Sequence, residues 1–165
     1  MKMNMKMLVG FDSSEESYRA FDLALGMAAS YQFPAIPEIN VLSVIQRPGI
    51  GLDVVDIRSL VDDATAEFKA LFKTLEEKAK AANLRIRTEI AVGHPAKTIV
   101  QAAKDKGCQL IIVGHRRRSK LSRLVLGSVS KHVASRAHCS VVLVEKGLEP
   151  VLGLWDPGRV AVSPA

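Results

Sequence analysis

Cys108-Gln109-Leu110-Ile111-Ile112-Val113-Gly114 is the stretch on which the fold turns. Leu110 to Val113 is an unbroken apolar run, too short for a helix and without the alternation that marks a wet face. It reads as a strand buried on both sides, as in a parallel sheet covered by helices. Met7-Leu8-Val9-Gly10-Phe11 before it and Ser140-Val141-Val142-Leu143-Val144 after it read the same way. Ile39-Asn40-Val41-Leu42-Ser43-Val44-Ile45 is a further strand. Arg85 to Val92 differs. Ile86, Thr88, Ile90 and Val92 alternate with Arg85, Arg87 and Glu89, which suits a strand near the sheet edge.

Helical patterns fill the gaps. Ser13 and Glu16 have the S-x-x-E spacing of a capping box, which predicts a helix start there. Ala20, Phe21, Leu23, Ala24, Met27 and Ala28 form its apolar stripe, and Pro34 lies beyond its end. Gln46 to Ile57, with Pro48, Gly49 and Gly51, reads as a loop. A long helix from about Arg58 to Asn83 follows, carrying Ala64, Phe68, Leu71, Phe72, Leu75, Ala79 and Ala82 at helical spacing. Gly93-His94-Pro95 turns into the next helix, which Gly107 stops. Gly114 to Leu126 is a basic loop, and Gly127-Ser128 opens a last helix reaching about Ala137. The order β-α-β-α-β-α-β-α-β implies one parallel sheet with helices on both faces. Residues 147–165 have no clear period and form a tail outside the domain of residues 1–146.

Bulk properties narrow the function classes. A chain of 165 residues makes one domain with a sizeable core. The net charge of +6 favours anionic partners, whether nucleotide, nucleic acid or acidic lipid. Cys108 and Cys139 lack C-x-x-C spacing and read as buried free thiols, with a disulfide or redox pair as the alternative. The opening Met1–Lys6 lacks the apolar core of a signal peptide, and no run approaches the roughly 18 apolar residues of a membrane span. A cytoplasmic location is expected. His94, His115 and His138 have no metal-ligand spacing. His132 shares a helix face with Ser128, but no G-x-S-x-G elbow supports a hydrolase. No catalytic residue is assigned, and at most a slow hydrolysis is expected.

Ligands of open α/β sheets bind beyond the carboxyl ends of the strands, where strand order reverses. Two strand ends carry suitable chemistry. Asp12 follows the first strand, where a carboxylate can accept hydrogen bonds from both ribose hydroxyls; helping to cap the first helix is the plainer reading. Gly114 ends the fourth strand and leads to Gly127-Ser128 at a helix amino terminus, which offers unpaired N–H donors and partial positive charge to phosphate. Arg116, Arg117, Arg118, Lys120 and Arg123 lie between them, as a solvated loop or as phosphate ligands. Nucleic acid is the poorer partner, because no aromatic residues interleave to stack bases. The segment is not a P-loop: Ser119 stands where its second glycine belongs.

Val113-Gly114-His115-Arg116-Arg117 through Leu124-Val125-Leu126-Gly127-Ser128-Val129-Ser130 resembles the G-x2-G-x9-G-[ST] signature of the universal stress protein family. Leu8 to Ser14, Leu42-Ser43-Val44, Gly93-His94-Pro95 and Val141 to Val144 resemble further segments of that family, in unbroken order over about residues 5–146. The resemblance implies a Rossmann-like α/β fold with a five-stranded parallel sheet of order 3-2-1-4-5. It also implies a homodimer through the terminal strand Val141–Val144, and a role in stress regulation rather than a fixed reaction. It implies ATP or AMP as ligand, with or without Mg2+. By that correspondence Asp12 holds the ribose, Val44 meets adenine through its backbone and Val113 borders the base. Gly114, Gly127, Ser128 and Val129 line the phosphates, with Arg116 and Arg117 beside them. Arg117 departs from the pattern, standing where the signature has its second glycine. An alternative is therefore a family member that has lost its nucleotide site and acts as a dimeric interaction protein.

Overall fold

The computed structural model describes residues 5–30, 36–47, 54–115, 128–145 and 162–163. Ten elements follow one another among them: β1 Lys6–Gly10, α1 Glu15–Ser30, β2 Glu38–Ile45, α2 Val54–Ala81, β3 Ile86–Val92, α3 Pro95–Lys106, β4 Leu110–His115, α4 Ser128–Arg136, β5 Ser140–Glu145 and β6 Val162–Ser163. The sheet order is β3-β2-β1-β4-β5-β6. The first five strands are parallel, in the order expected, with helices packed on both faces. The last strand is new. It belongs to the tail, which gave no signal of strand, and it runs antiparallel along β5.

The apolar runs form strands because both of their faces are covered. Met7, Val9, Ile39, Val41, Leu110 and Ile112 pack under α1 and α2 with Phe21, Ala24, Phe72 and Leu75. Leu8, Leu42, Ile111, Val113 and Val141 face the other way, against Ala96, Ile99 and Ala103 of α3 and Val133 of α4. Every one of these side chains is less than a tenth exposed. Burying each contributes roughly 1.5–3 kcal/mol. The alternation read in β3 is also present: Arg87 and Glu89 are exposed, while Ile86 and Ile90 pack against the first core. Among the described residues, surface ion pairs join elements at Lys78–Asp22, 2.6 Å between α2 and α1, at Lys106–Glu89, 2.6 Å between α3 and β3, and at Arg87–Glu38, 3.5 Å between β3 and β2. Each is worth no more than about 1 kcal/mol at such exposure.

Four boundaries differ from the sequence reading. The amino-terminal cap of α1 is Ser14, one residue after Ser13: the Ser17 N–H donates to Ser14 Oγ at 3.2 Å, and Ser17 Oγ donates back to the Ser14 carbonyl at 2.9 Å. Ser17 thus fills the place given to Glu16. Helix α2 begins at Val54, inside the stretch read as loop, and ends at Ala81. Residues 56–63 are half-buried or exposed, with Leu60 49% exposed, so burial there gives no pattern to read. Strand β4 runs on through Gly114 to His115, both assigned to the following loop. Gly107, by contrast, stops α3 as expected, at φ 64° with its N–H bonded to the carbonyls of Ala103 and Lys104.

Gly114 has a packing reason of its own. A Cβ there would lie 2.7 Å from the Glu16 carbonyl carbon and 2.8 Å from the Ser17 nitrogen. The obstacle is backbone, so nothing flexible can give way. Gly26, in the exposed part of α1, has nothing within 4 Å of the same imaginary atom. Gly114→Ala is expected to cost about 2 kcal/mol or more in urea unfolding, as an overpacked core does. Gly26→Ala is expected to raise stability by up to about 1 kcal/mol, the helix-propensity difference.

Both cysteines are free, Cys108 buried and Cys139 half-buried. Burial raises both thiols above the ordinary 9.0, and the neighbouring Cys139 raises Cys108 further. The folded chain therefore keeps these protons at a pH where the unfolded chain has lost them. Stability from this source is complete below about pH 9 and falls as pH rises beyond it. Urea midpoints are expected to fall from about pH 9 upwards more steeply in the native chain than in a Cys108→Ala, Cys139→Ala double variant.

Candidate functional site

The register brings the two strand ends together. Gly10 pairs with Leu42 of β2 on one side and with Val113 of β4 on the other. Two residues further on, Asp12, Val44 and His115 stand at one level, Asp12 past the end of β1 and the other two within β2 and β4. Sheet order reverses between β1 and β4, so this is where a crevice opens in such a fold. The end of β1 is held by neighbours: the Phe11 N–H donates to the Leu42 carbonyl at 2.9 Å, and Ser43 Oγ donates to the Phe11 carbonyl at 2.8 Å.

Asp12 is exposed and directs the turn into α1. One of its oxygens, Oδ1, accepts from the Ser14 N–H at 3.1 Å and from the Ser14 hydroxyl. The plainer capping reading is thus present in the structure. Among the described residues the other oxygen, Oδ2, has no protein partner, so the carboxylate can still accept from a ligand. Ser13 turns the corner at φ 62°, a left-handed conformation unusual for a residue with a Cβ. Strain of this kind gathers where a turn is over-determined by its surroundings. The surroundings here are the Asp12–Ser14 bonds and the packing of α1 on Gly114.

Helix α4 begins beside the end of β4. Ser128 is exposed at its first position, Val129 half-buried and Ser130 buried. Its amino-terminal N–H groups have no partners within the helix and carry partial positive charge. The residue that fixes this helix end is His115, noticed in the sequence only for lacking a metal partner. Its ring is 4% exposed, and its Nδ1 lies 3.0 Å from Ser130 Oγ. Its Nε2 lies 3.9 Å from Glu145 at the end of β5. The imidazole therefore ties the end of β4 to the first turn of α4 and the end of β5. The only hint in the sequence was its position directly after the glycine of a buried strand.

Of the residues singled out, Asp12, Val44, Val113, Gly114, Ser128 and Val129 belong to described elements at this end of the sheet, with Val113 buried just below the rim. Arg116, Arg117 and Gly127 lie outside the described residues. His132 turns towards His94, with ring centroids 5.9 Å apart, and not towards Ser128. A separate groove of about 480 Å³ runs between α3 and α4, lined by Lys97, Val100, Gln101, His132 and Arg136. It shares no lining residue with the strand-end site.

Comparison with known proteins agrees with this architecture. The universal stress protein YxiE of Bacillus subtilis is 33% identical over 84% of this chain and 97% of its own length. Universal stress protein MJ0531 of Methanocaldococcus jannaschii is 29% identical over 86% of this chain and 82% of its own. Among solved structures, the universal stress protein UspA from Lactobacillus plantarum superposes with a TM-score of 0.74 at 24% identity, over 87% of this chain and 99% of that one. A universal stress protein in complex with cAMP superposes with a TM-score of 0.64 at 25% identity, over 87% and 98% of the two chains. The family model for universal stress proteins matches residues 3–145, nearly all of the sheet and its helices. The chain belongs to the universal stress protein family.

Proposed function

We propose that this chain binds an adenine nucleotide, ATP or AMP, in the crevice over β1 and β4, and serves as a regulatory module in the response to stress. The observation that carries the reading is the convergence of Asp12 and the amino terminus of α4 on the ends of adjacent central strands. A nucleotide needs a hydrogen-bond acceptor for its ribose and a cationic, N–H-rich cradle for its phosphates. Asp12 Oδ2 is suited to the first. Ser128, Val129 and their backbone N–H groups, with Gly127 before them, are suited to the second, joined by Arg116 and Arg117. Val44 and Val113 lie beside the place of the base. The solved relative carrying cAMP supports a nucleotide in this family.

His115 positions the phosphate cradle without belonging to it. In this reading occupancy rather than turnover is the output. In this reading the chain works as a homodimer through the terminal strand, Val141–Val144 of β5, and nucleotide occupancy biases that dimer or a partner surface. Its location is the cytoplasm.

Calorimetry with ATP and AMP, on protein stripped of carried-over nucleotide, is the direct test. Binding by the native chain, lost on Asp12→Ala and on Gly127→Val, is the expected result. Normal binding by both variants would remove the site assignment. If the native chain binds nothing and Arg117→Gly restores binding, the arginine has closed the site and the interaction-protein reading holds. Ser130→Ala, which strips the His115 anchor, is expected to weaken nucleotide binding by about tenfold, one hydrogen bond's worth of preorganisation, while Asp12→Ala, which also releases Ser14, is expected to cost about 1 kcal/mol of stability besides its effect on binding.

A further inference from the structure

We infer that the C-terminal strand β6 is an intrachain competitor for the outer edge of β5, so that the tail sets how strongly two copies of this chain associate. The inference rests on the homodimer reading above and adds to it a means of control. β5 is the last strand of the parallel sheet and is strongly apolar: Val141, Val142 and Val144 are buried and Leu143 half-buried. An apolar edge of this kind is a ready template for another strand. β6 meets it in antiparallel sense, Val162 opposite Val142 and Ser163 opposite Val141.

The sense of the pairing matters. Every other pair in the sheet is parallel. Two copies of β5 related by a two-fold axis meet antiparallel by symmetry, since each presents the same edge to the other. The edge that accepts β6 therefore accepts strands in the same direction that a second β5 would bring. The two occupants exclude each other at Val141 and Val142.

Their strengths are set differently. β6 is tethered through residues 146–161, a connection long enough to reach Val142 from Glu145 without tension. Tethering gives it an effective concentration on the order of millimolar, against which a second chain at micromolar concentration competes poorly. Yet β6 pairs over only two residues, and beyond it Leu143, Val144 and Glu145 have no outer strand neighbour among the described residues. A second β5 pairs over the whole strand. The cover is thus strong enough to shift the equilibrium and short enough to be displaced.

Sedimentation velocity across a concentration series tests this with the full chain, a chain ending at residue 146, and full-length Val162→Pro, in which proline disrupts the β6 ladder. The expected result is a dimer in both altered chains with a dissociation constant at least about tenfold lower than that of the full chain. Equal dimerisation by all three would keep the homodimer and overturn the competitor. Altered chains that remain monomeric would overturn both. If the shortened chain does not fold, the proline variant decides alone, because it leaves the five parallel strands intact.

Discussion

The first turn of α1 sits closer to the end of β4 than any side chain at position 114 permits. The backbone of Glu16 and Ser17 occupies the space that a Cβ would need. This contact sets the height at which α1 begins, and so dictates how sharply the chain must turn after β1. Ser13 absorbs that turn in a left-handed conformation, and Ser14 and Asp12 hold it. A glycine readable as a ligand contact is thus first a packing residue. The carboxylate beside it owes its location to the same approach.

The site that results is built from fixed parts. Asp12 is anchored through one oxygen and open through the other. The amino terminus of α4 is pinned by the His115–Ser130 contact to the strand next to β1. Donors and acceptor are therefore oriented before any ligand arrives, which lowers the ordering cost of binding. His115 also approaches Glu145 on β5, so the amino terminus of α4 and the last parallel strand share one buried ring. The thiols stand apart from this chemistry, at the opposite ends of β4 and β5, where burial keeps them neutral.

Much of this was legible in the order of residues, for a physical reason. Strands covered on both faces leave unbroken apolar runs, so β1, β2, β4 and β5 were found close to their true places, and the half-wet β3 was betrayed by its alternation. What escaped were features governed by something other than burial. Ser13-Ser14-Glu15-Glu16 offers two overlapping capping frames, and only the packing of α1 on Gly114 chooses Ser14. The start of α2 carries no buried stripe to announce it. β6 is two residues long, and its pairing partner is distant in sequence, so no local period records it. Of the candidate site, Asp12, Val44, Gly114 and Ser128 are motif positions, whereas His115 acts through a contact fifteen residues away. Arg117, which departs from the signature, lies outside the described residues.

The two rims of the sheet are unequal. β3 ends one side with Arg87 and Glu89 exposed, charges that resist the addition of a strand. The parallel strands end on the other side with the valines of β5, which β6 meets over two residues. A sheet with one receptive rim and one repellent rim can be extended only once. In the dimer proposed above, two copies joined rim to rim turn their Arg87 and Glu89 outward, charges that disfavour the addition of a third copy.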